Sequence, residues 1–305
     1  MILQLNELRD KLAGCWTGKN VGGVLGAPFE CKRMIPDVDF YVQDLTQGPP
    51  ANDDLDLQIV WLAAVERYGR NVNASILGEY WLSFVIPNWV EYGTGKTNLR
   101  AGLVPPLSGD VDNTYKNSNG CWIRSELWAC LAPGDPELAV RIATEDACVD
   151  HSGDGISAIR FLAAIESAAF AENDLNKLIE TGMRYLPEGE RMKNAFKDTI
   201  AWWNETEDYI RVREKILKKY SVENWTDVTI NLSFILLALL NCENSFDKAI
   251  CHAVNMGHDA DWRYGRRAFR YYKSGRHRRA LDKADRKFAC AFLQYDKYDR
   301  LGFNR

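Results

Sequence analysis

The sequence predicts an all-α fold in one compact domain. Apolar residues recur at helical spacing along most of the 305 residues, beginning with positions 5, 8, 12 and 16. That spacing is typical of helices that bury one face. Strand signals are few, and the chain has no clear internal repeat. A core made by packing helices against helices is therefore expected.

The chain begins with an amphipathic helix, predicted over residues 3–17. A glycine-rich turn is expected to follow and to end near Pro28. Its glycines, at positions 18, 22, 23 and 26, allow backbone or ligand to approach closely. No strand precedes them, so the spacing does not indicate a dinucleotide site. Residues 31–50 are predicted to be a loop with a short irregular strand.

The rest of the chain is predicted as helices joined by short connections. A long loop is the exception, expected from Gly93 to Asn119 because that region is rich in Asn, Gly and Pro. A loop of such length in a compact domain is usually functional. The predicted helices span residues 53–68, 75–90, 122–131, 135–150, 155–172, 175–185, 189–204, 207–219, 228–241 and 246–256.

An acidic cluster marks the start of the helix predicted at 53–68. Asn52 is a good N-cap residue, and Asp53, Asp54 and Asp56 fall in the first turn. The positive end of the helix dipole stabilises one or two acids there. Three acids without a neighbouring Lys or Arg indicate a cation site, although a solvated acidic helix start explains the same pattern.

A second acidic pair stands about two hundred residues later. Asp259 and Asp261 follow Gly257 and His258, after an apolar helical segment. If the two clusters converge, their mutual repulsion requires a bound cation. Carboxylate oxygens are hard ligands that suit Mg²⁺, Mn²⁺ or Ca²⁺ rather than Zn²⁺.

Five motifs in order now define a resemblance. They are Gly14–Gly18 leading to Gly22–Glu30, Asn52-Asp53-Asp54, Asn117-Ser118-Asn119-Gly120, Glu145-Asp146-Ala147 with His151, and Asp259-Ala260-Asp261. In this order and at this spacing, over roughly residues 10–262, the chain resembles the ADP-ribosylglycohydrolases. That family includes the dinitrogenase-reductase-activating glycohydrolases and the J1 crystallins.

The resemblance implies a compact single-domain orthogonal helical bundle that hydrolyses an ADP-ribosyl or related ribosyl linkage. It implies one or two Mg²⁺ or Mn²⁺ ions and a small-molecule or ADP-ribosylated substrate. The implied metal ligands are Asn52, Asp53, Asp54, Asp259 and Asp261. The candidate catalytic residues are Asp53, Asp54 and Glu30. The implied substrate-binding residues are Asn119, Gly120, His151, Gly257 and His258.

Several residues keep other interpretations open. Asn119-Gly120 also reads as an ordinary turn, His151 as a helix C-cap, and Glu30 as a surface acid. Where the family has Thr after the second acidic pair, this chain has Trp262. The alternative function is therefore a non-catalytic binder of ADP-ribose or a nucleotide, or a decayed family member. A structural role like that of the crystallins is a third hypothesis.

The C-terminal segment differs sharply in composition from the rest of the chain. Residues 263–305 contain 14 basic and 4 acidic side chains, whereas residues 1–262 contain 24 basic and 38 acidic ones. We predict a domain over 1–262 and an atypical basic tail over 263–305. Read from the second base of the Trp262 codon, codons for Trp262–Lys273 can encode Gly-Ala-Thr-Ala-Gly-Ala-Leu-Ser-Gly-Ile-Ile. That segment resembles the family's small apolar helix, which favours a frameshift. The interleaved basic and aromatic residues of the tail are also typical of nucleic-acid or anionic-surface binding, so a functional tail stays open.

Charge and hydropathy limit the partners. The acidic body argues against nucleic acid as the main partner. The longest apolar run, Phe234–Leu240, is far short of the ~20 residues of a membrane span. With no visible export signal, the eight scattered cysteines are expected to be reduced thiols in the cytoplasm. The sequence leaves the leaving group of the substrate and the oligomeric state open.

Overall fold

Helices account for most of the described backbone. The structure is a computed structural model, and it describes residues 4–30, 32, 34–41, 46, 48 and 52–258. Within these residues there are thirteen α helices and three short 3-10 helices, and β pairing is limited to two isolated bridges. The predicted all-α fold is confirmed.

The helices follow one another through short connections, as expected for neighbours in a helical domain. The α helices are α1 (Leu5–Gly26), α2 (Asp53–Tyr68), α3 (Ala74–Phe84), α4 (Val90–Arg100), α5 (Leu107–Asp110), α6 (Ser125–Leu131), α7 (Pro136–Ala147), α8 (Asp154–Ala168), α9 (Leu175–Met183), α10 (Arg191–Thr206), α11 (Tyr209–Tyr220), α12 (Val228–Leu240) and α13 (Phe246–Asn255). The 3-10 helices are Ala27–Phe29, Gly69–Asn71 and Asn119–Arg124.

Two central helices organise the core. Every residue of α12 from Val228 to Leu239 is buried, which is the pattern of a helix surrounded by others. It packs against α8, α10, α11 and α13, while α8 also packs against α6, α7 and α9. Buried polar groups on α12 have partners: Ser233 Oγ donates to Thr229 O at 2.6 Å, and Thr229 Oγ1 donates to Asp154 Oδ2 at 3.2 Å. The apolar surface of both helices is thereby buried at little polar cost.

Polar side chains fix where many helices begin. In each case a side-chain oxygen just before the helix accepts a hydrogen bond from a backbone N–H in the first turn, which satisfies a donor that the helix leaves open. The capping residues are Asn52, Asn73, Asp135, Asp174, Asp208, Asp227 and Ser245.

The glycine-rich turn predicted after residue 17 is wrong, because α1 runs without a break from Leu5 to Gly26. Four of its glycines, at positions 14, 18, 22 and 26, are spaced four apart and buried. A spacing of four places them on one side of the helix. Glycine in a helix interior costs about 1 kcal/mol relative to alanine, and its missing side chain allows neighbouring elements to approach closely.

The long loop predicted from Gly93 to Asn119 is also wrong. The region contains α4 and the short helix α5, and the helix predicted over 75–90 ends at Phe84. Glycine in α4 reflects packing rather than a turn. A Cβ on Gly95 would lie 3.1 Å from Cβ of Asp150 and 3.3 Å from Val149 O.

None of the described helices combines the length and hydropathy that a bilayer span requires. The predicted tail over 263–305, Trp262, and the second acidic pair, Asp259 and Asp261, lie outside the described residues. The domain boundary at residue 262 and the frameshift hypothesis therefore stay predictions.

Close packing around α9 gives a test of the core. A Cβ on Gly182 would lie 2.6 Å from both Ile165 Cγ2 and Phe161 Cδ2. We expect Gly182→Ala to lower the free energy of unfolding by about 1–3 kcal/mol, because overpacking outweighs the gain in helix propensity. Urea denaturation measures the change.

Gly78 in α3 is the matched control. A Cβ there would lie 3.3 Å from Leu99 Cδ2, the end of a flexible side chain. Gly78→Ala should therefore leave stability unchanged or raise it by up to about 1 kcal/mol. Equal losses in the two variants would contradict the described packing of α9.

Candidate active site

The acidic start of α2 is formed as predicted. Asn52 has an extended backbone, and its Oδ1 accepts a hydrogen bond from Asp54 N at 2.8 Å. The three carboxylates differ in environment: Asp54 is buried, Asp53 is half-buried and Asp56 is exposed. The first turn therefore presents one acid to the interior, one to solvent and one at the boundary.

A buried lysine lies beneath Asp54. Lys19 of α1 donates to Glu126 Oε1 at 3.0 Å and to Ile123 O at 2.8 Å, and its Nζ is 3.8 Å from Asp54 Oδ2. Burial alone would lower the pKa of Lys19, but Glu126 and Asp54 outweigh it and raise the pKa. The acidic turn has no basic neighbour in the sequence. In the structure, however, Lys19, which stands 35 residues before Asp54, lies beside it.

Gln58 ties the same elements together one turn further along α2. Its Nε2 donates to Glu126 Oε2 at 3.0 Å and to Ile123 O at 3.1 Å, and its Oε1 accepts from Leu127 N at 3.0 Å. The first turn of α2 is thus fixed to α1 and to the start of α6 by polar contacts in the interior. Asp53 and Asp54 are held by a preorganised framework.

Asp53 has a neutral partner instead of a close cation. Tyr92 of α4 donates from its hydroxyl to Asp53 Oδ2 at 3.3 Å. Burial raises the pKa of Asp53, and the Tyr92 hydrogen bond and the more distant Lys19 offset only part of this effect. Burial, with the charges of Asp53 and Glu91, also raises the pKa of Tyr92 far above its usual value. Tyr92 therefore stays protonated and donates to Asp53.

A second charged cluster surrounds Arg124, which has no exposed surface. Its guanidinium contacts both carboxylate oxygens of Asp150 at 2.9 and 3.2 Å, Asp146 Oδ1 at 3.0 Å and Gly120 O at 2.5 Å. It also lies over the ring of Trp81, 5.3 Å from the centroid. Burial alone would lower the pKa of Arg124, but Asp146 and Asp150 raise it. The cluster anchors the 3-10 helix Asn119–Arg124 to α7.

His151 joins this cluster to α4. Its Nδ1 is 3.0 Å from Asp150 Oδ1, and its Nε2 is 3.7 Å from Glu91 Oε1. Burial would lower the pKa of His151, but Asp150 and Cys121 outweigh it and raise the pKa well above 6.5. His151 therefore lies between two carboxylates, those of Asp150 and Glu91. Glu91 Oε2 is buried and has no hydrogen-bond partner among the described residues.

Helix α4 brings three of the predicted site residues together. A Cβ on Gly120 would overlap the Glu91 carboxylate and would lie 2.6 Å from Cε1 of Tyr92, so only glycine fits there. Tyr92 reaches Asp53, and Glu91 reaches His151. Asp53, Gly120 and His151 therefore surround the first turn of α4.

The segment that carries Glu30 lies beside His258. Glu30 is exposed in the turn after Ala27–Phe29, and two residues later Lys32 O accepts a hydrogen bond from His258 N at 2.9 Å. Gly257 and His258 both have positive φ, 69° and 65°. The segment after α1 begins at the end of the helix, and Gly26 there lies about 10 Å along α1 from Lys19. Residue 258, directly before the second acidic pair, therefore lies beside the segment that follows α1.

The predicted substrate-binding residues are mostly interior. Asn119, His151 and His258 are at most 3% exposed, and Gly120 and Gly257 are buried. The His258 ring packs edge-on against Phe234, with centroids 5.4 Å apart. The contacts described for these five residues are with other parts of the protein interior. Direct contact with a substrate stays a prediction.

The predicted metal site stays a prediction, because two of its five ligands, Asp259 and Asp261, lie outside the described residues. Among the described side chains, no three His, Cys, Asp or Glu residues form a group that could hold a metal ion. The donors that are present fit a hard cation, since Asp53, Asp54 and Asn52 offer only oxygen. Burial raises the pKa of Asp53, and a nearby cation would favour its charged form.

Sequence reasoning missed the residues that position the site. Glu91 and Tyr92 lie between the helix predicted to end at residue 90 and the loop predicted to begin at Gly93. Arg124 stands one turn after Gly120, a spacing at which its guanidinium reaches Gly120 O. Lys19 within a glycine-rich helix was the available signal, since a lone cation on a buried glycine face requires an acidic partner.

Comparisons with known proteins agree with the motifs. A family model described as ADP-ribosylglycohydrolase matches residues 4–263. Among solved structures, the chain is similar to one described as an ADP-ribosylglycohydrolase-related protein complex. The TM-score is 0.66 at 20% sequence identity, over 96% of this chain and 99% of that chain, which shows a shared fold. No curated protein sequence matches the chain.

The Lys19 contacts predict a large effect on stability. Lys19→Met leaves Glu126 and Asp54 buried beside an apolar side chain, so we expect the free energy of unfolding to fall by about 3–5 kcal/mol. Adding Glu126→Gln should restore part of the loss, because one uncompensated charge is removed. Chemical denaturation of the single and double variants measures both changes.

Lys248→Met is the matched control, since Lys248 pairs with Glu243 on the surface and should contribute little. A loss in Lys19→Met no greater than that in the control would contradict the buried network.

Proposed function

Because the chain belongs to the ADP-ribosylglycohydrolase family, we propose that it is a divalent-metal-dependent hydrolase that cleaves an ADP-ribosyl or related ribosyl glycosidic linkage. The family is one of glycosidic hydrolases, and the start of α2 offers the matching chemistry. A carboxylate beside an anomeric carbon can stabilise a cationic sugar and accept a proton from water.

The environment of Asp53 carries the proposal. It is half-buried at a helix start, and its pKa is raised by burial. A base with a pKa nearer to neutrality accepts a proton more effectively at physiological pH. Tyr92 donates to Oδ2 and fixes the rotation of the carboxylate. We therefore assign Oδ1 of Asp53 as the atom that takes the proton of the attacking water.

Asp54 has a different role because Lys19 lies 3.8 Å away. This cation favours the ionised form of Asp54, which suits a metal ligand better than a general base. Glu30, exposed beside the Lys32–His258 bridge, is the second candidate to contact the substrate. Asp56, one turn along from Asp53, points to solvent and is not needed for proton transfer.

The oxygen donors of five residues would hold the Mg²⁺ or Mn²⁺ ions. They are Asn52, Asp53, Asp54, Asp259 and Asp261. When bound, such an ion lowers the pKa of a coordinated water and orients the ribose hydroxyls. The chain's own contribution is to keep the carboxylates fixed before the substrate arrives, through Lys19, Gln58 and Tyr92.

The cluster beneath α4 supports the substrate side of the site. His151 has no exposed surface, so we propose that it acts through Glu91, which it holds against Gly120. The backbone of Asn119 and Gly120 is thereby fixed one side chain away from Asp53. Substrate contacts by Asn119, Gly120, Gly257 and His258 are proposed to be made largely by backbone groups.

Paired substitutions in the first turn of α2 test the assignment. Asp53→Asn removes the base while keeping the shape, so we expect kcat to fall by at least about 100-fold. Asp56→Asn removes an exposed acid from the same turn and should keep most of the activity. Release of ADP-ribose from ADP-ribosylated arginine and serine peptides, with Mg²⁺ present, is the measurement.

Circular dichroism and thermal unfolding should show that both variants are folded. Full activity in Asp53→Asn would reject Asp53 as the base. Binding of ADP-ribose by the wild type, without turnover of any substrate in the panel, would favour the non-catalytic alternative.

The hydrogen bond from Tyr92 predicts a change in pH dependence. Because this bond lowers the pKa of Asp53, Tyr92→Phe should raise it further. The base must be ionised, so the acid limb of the kcat/KM profile should move to higher pH. Tyr80→Phe, which removes a hydroxyl from α3, should leave the profile in place. An unchanged acid limb in Tyr92→Phe would contradict a role of Tyr92 in setting the pKa of the catalytic base.

A further inference from the structure

The connection between α3 and α4, residues 85–89, is fixed from below by a buried lysine. Lys96 is 2% exposed, and its Nζ donates to Val85 O at 2.9 Å, to Ile86 O at 3.3 Å and to Pro87 O. A buried ammonium group with three carbonyl acceptors holds the backbone in one conformation. The connection is therefore rigid, unlike most exposed loops.

This rigid connection presents apolar side chains to solvent. Ile86 is 91% exposed and Trp89 is 57% exposed. Single apolar side chains are common on protein surfaces, so the distinguishing feature here is the rigid backbone that holds these two in solvent. The following residue, Val90, has φ of 26°, which is strained for a β-branched residue. Strain of this kind is maintained most often at functional positions.

Close packing against α4 sets the direction of the connection. A Cβ on Gly93 would lie 2.6 Å from Asn88 O, so the backbone before Trp89 rests directly on the first turn of α4. That turn also carries Tyr92. The indole of Trp89 packs on the Tyr92 ring at a centroid distance of 6.4 Å and an angle of 28°.

Trp89 is therefore linked through one side chain, that of Tyr92, to Asp53, the proposed general base. Tyr92 contacts Trp89 with its ring and Asp53 with its hydroxyl. A full tyrosine ring separates the indole from the Asp53 carboxylate. A substrate group on the indole must therefore be remote from the bond that is cleaved.

We propose that Trp89 is the stacking platform for the adenine base of the substrate. The inference rests on the proposed function, because it takes the ADP-ribosyl group as the ligand. In that group, adenine is the planar part remote from the anomeric carbon. Stacking requires an exposed aromatic face that is already immobile, and Lys96 and Tyr92 supply that condition. A base stacked on an aromatic side chain contributes substantially to affinity.

Calorimetric titration of the full-length protein with ADP-ribose and with ribose 5-phosphate, in Mg²⁺, tests the proposal. Ribose 5-phosphate lacks the base. Trp89→Ala should weaken ADP-ribose binding by about tenfold to hundredfold and leave ribose 5-phosphate unaffected. Trp89→Phe should keep most of the affinity. Ile86→Ala, from the same connection, is the control and should bind both ligands like the wild type.

The outcomes separate this proposal from the proposed function. Wild-type binding of ADP-ribose that Trp89→Ala leaves unchanged overturns the platform alone. An equal loss for both ligands, or a change of oligomeric state in light scattering with unchanged affinity, also overturns it. Failure of the wild type to bind ADP-ribose overturns the platform together with the ADP-ribosyl form of the proposed function.

Discussion

The buried ammonium group of Lys19 determines where the acidic turn of α2 lies. It connects three elements, since it comes from α1, donates to Glu126 and Ile123 O, and approaches Asp54. A charged group in the interior is tolerated only with such partners, and the loss of any one leaves the others uncompensated. The position of the neighbouring Asp53 follows from this constraint.

The charges around the site form an ordered arrangement. Buried cations, Lys19 and Arg124, each face buried carboxylates, so most of the interior charge is balanced. Asp53 is the exception in the first turn of α2, because its close partner is the neutral hydroxyl of Tyr92. Burial raises the pKa of Asp53, and an acid of this kind within a balanced and rigid framework is suited to proton transfer. The framework is structural, and the chemistry is assigned to the group that it leaves unbalanced.

Periodicity and capping predicted most of the helices. α2 begins at Asp53 because Asn52 caps it, and α12 was recognisable as a continuous apolar segment. The two errors have a common cause, because glycines in α1 and α4 were read as turns. The glycines of α4 pack closely on neighbouring backbone, and those of α1 are buried within a continuous helix. A single sequence does not show whether a glycine faces a turn or a neighbouring backbone.

The sequence predicted the acidic residues of the site but not the residues that hold them in place. Spacing placed three carboxylates in one turn, which the structure reproduces. The contacts of Lys19, Glu91, Tyr92 and Arg124 join residues far apart in the chain, and local patterns carry no information about such pairs. Tertiary contacts alone show that Asp53, Gly120 and His151 share a neighbourhood.

The central claim is that carboxylates from both ends of the domain hold a divalent cation. Calorimetric titration with Mn²⁺, followed by Mn²⁺ electron paramagnetic resonance, tests it on the wild type, Asp53→Asn, Asp259→Asn and the control Asp56→Asn. The account predicts binding by the wild type and by Asp56→Asn, and a large loss of affinity in each of the other two variants. Wild-type affinity retained in Asp259→Asn, or no binding by the wild type, would contradict it.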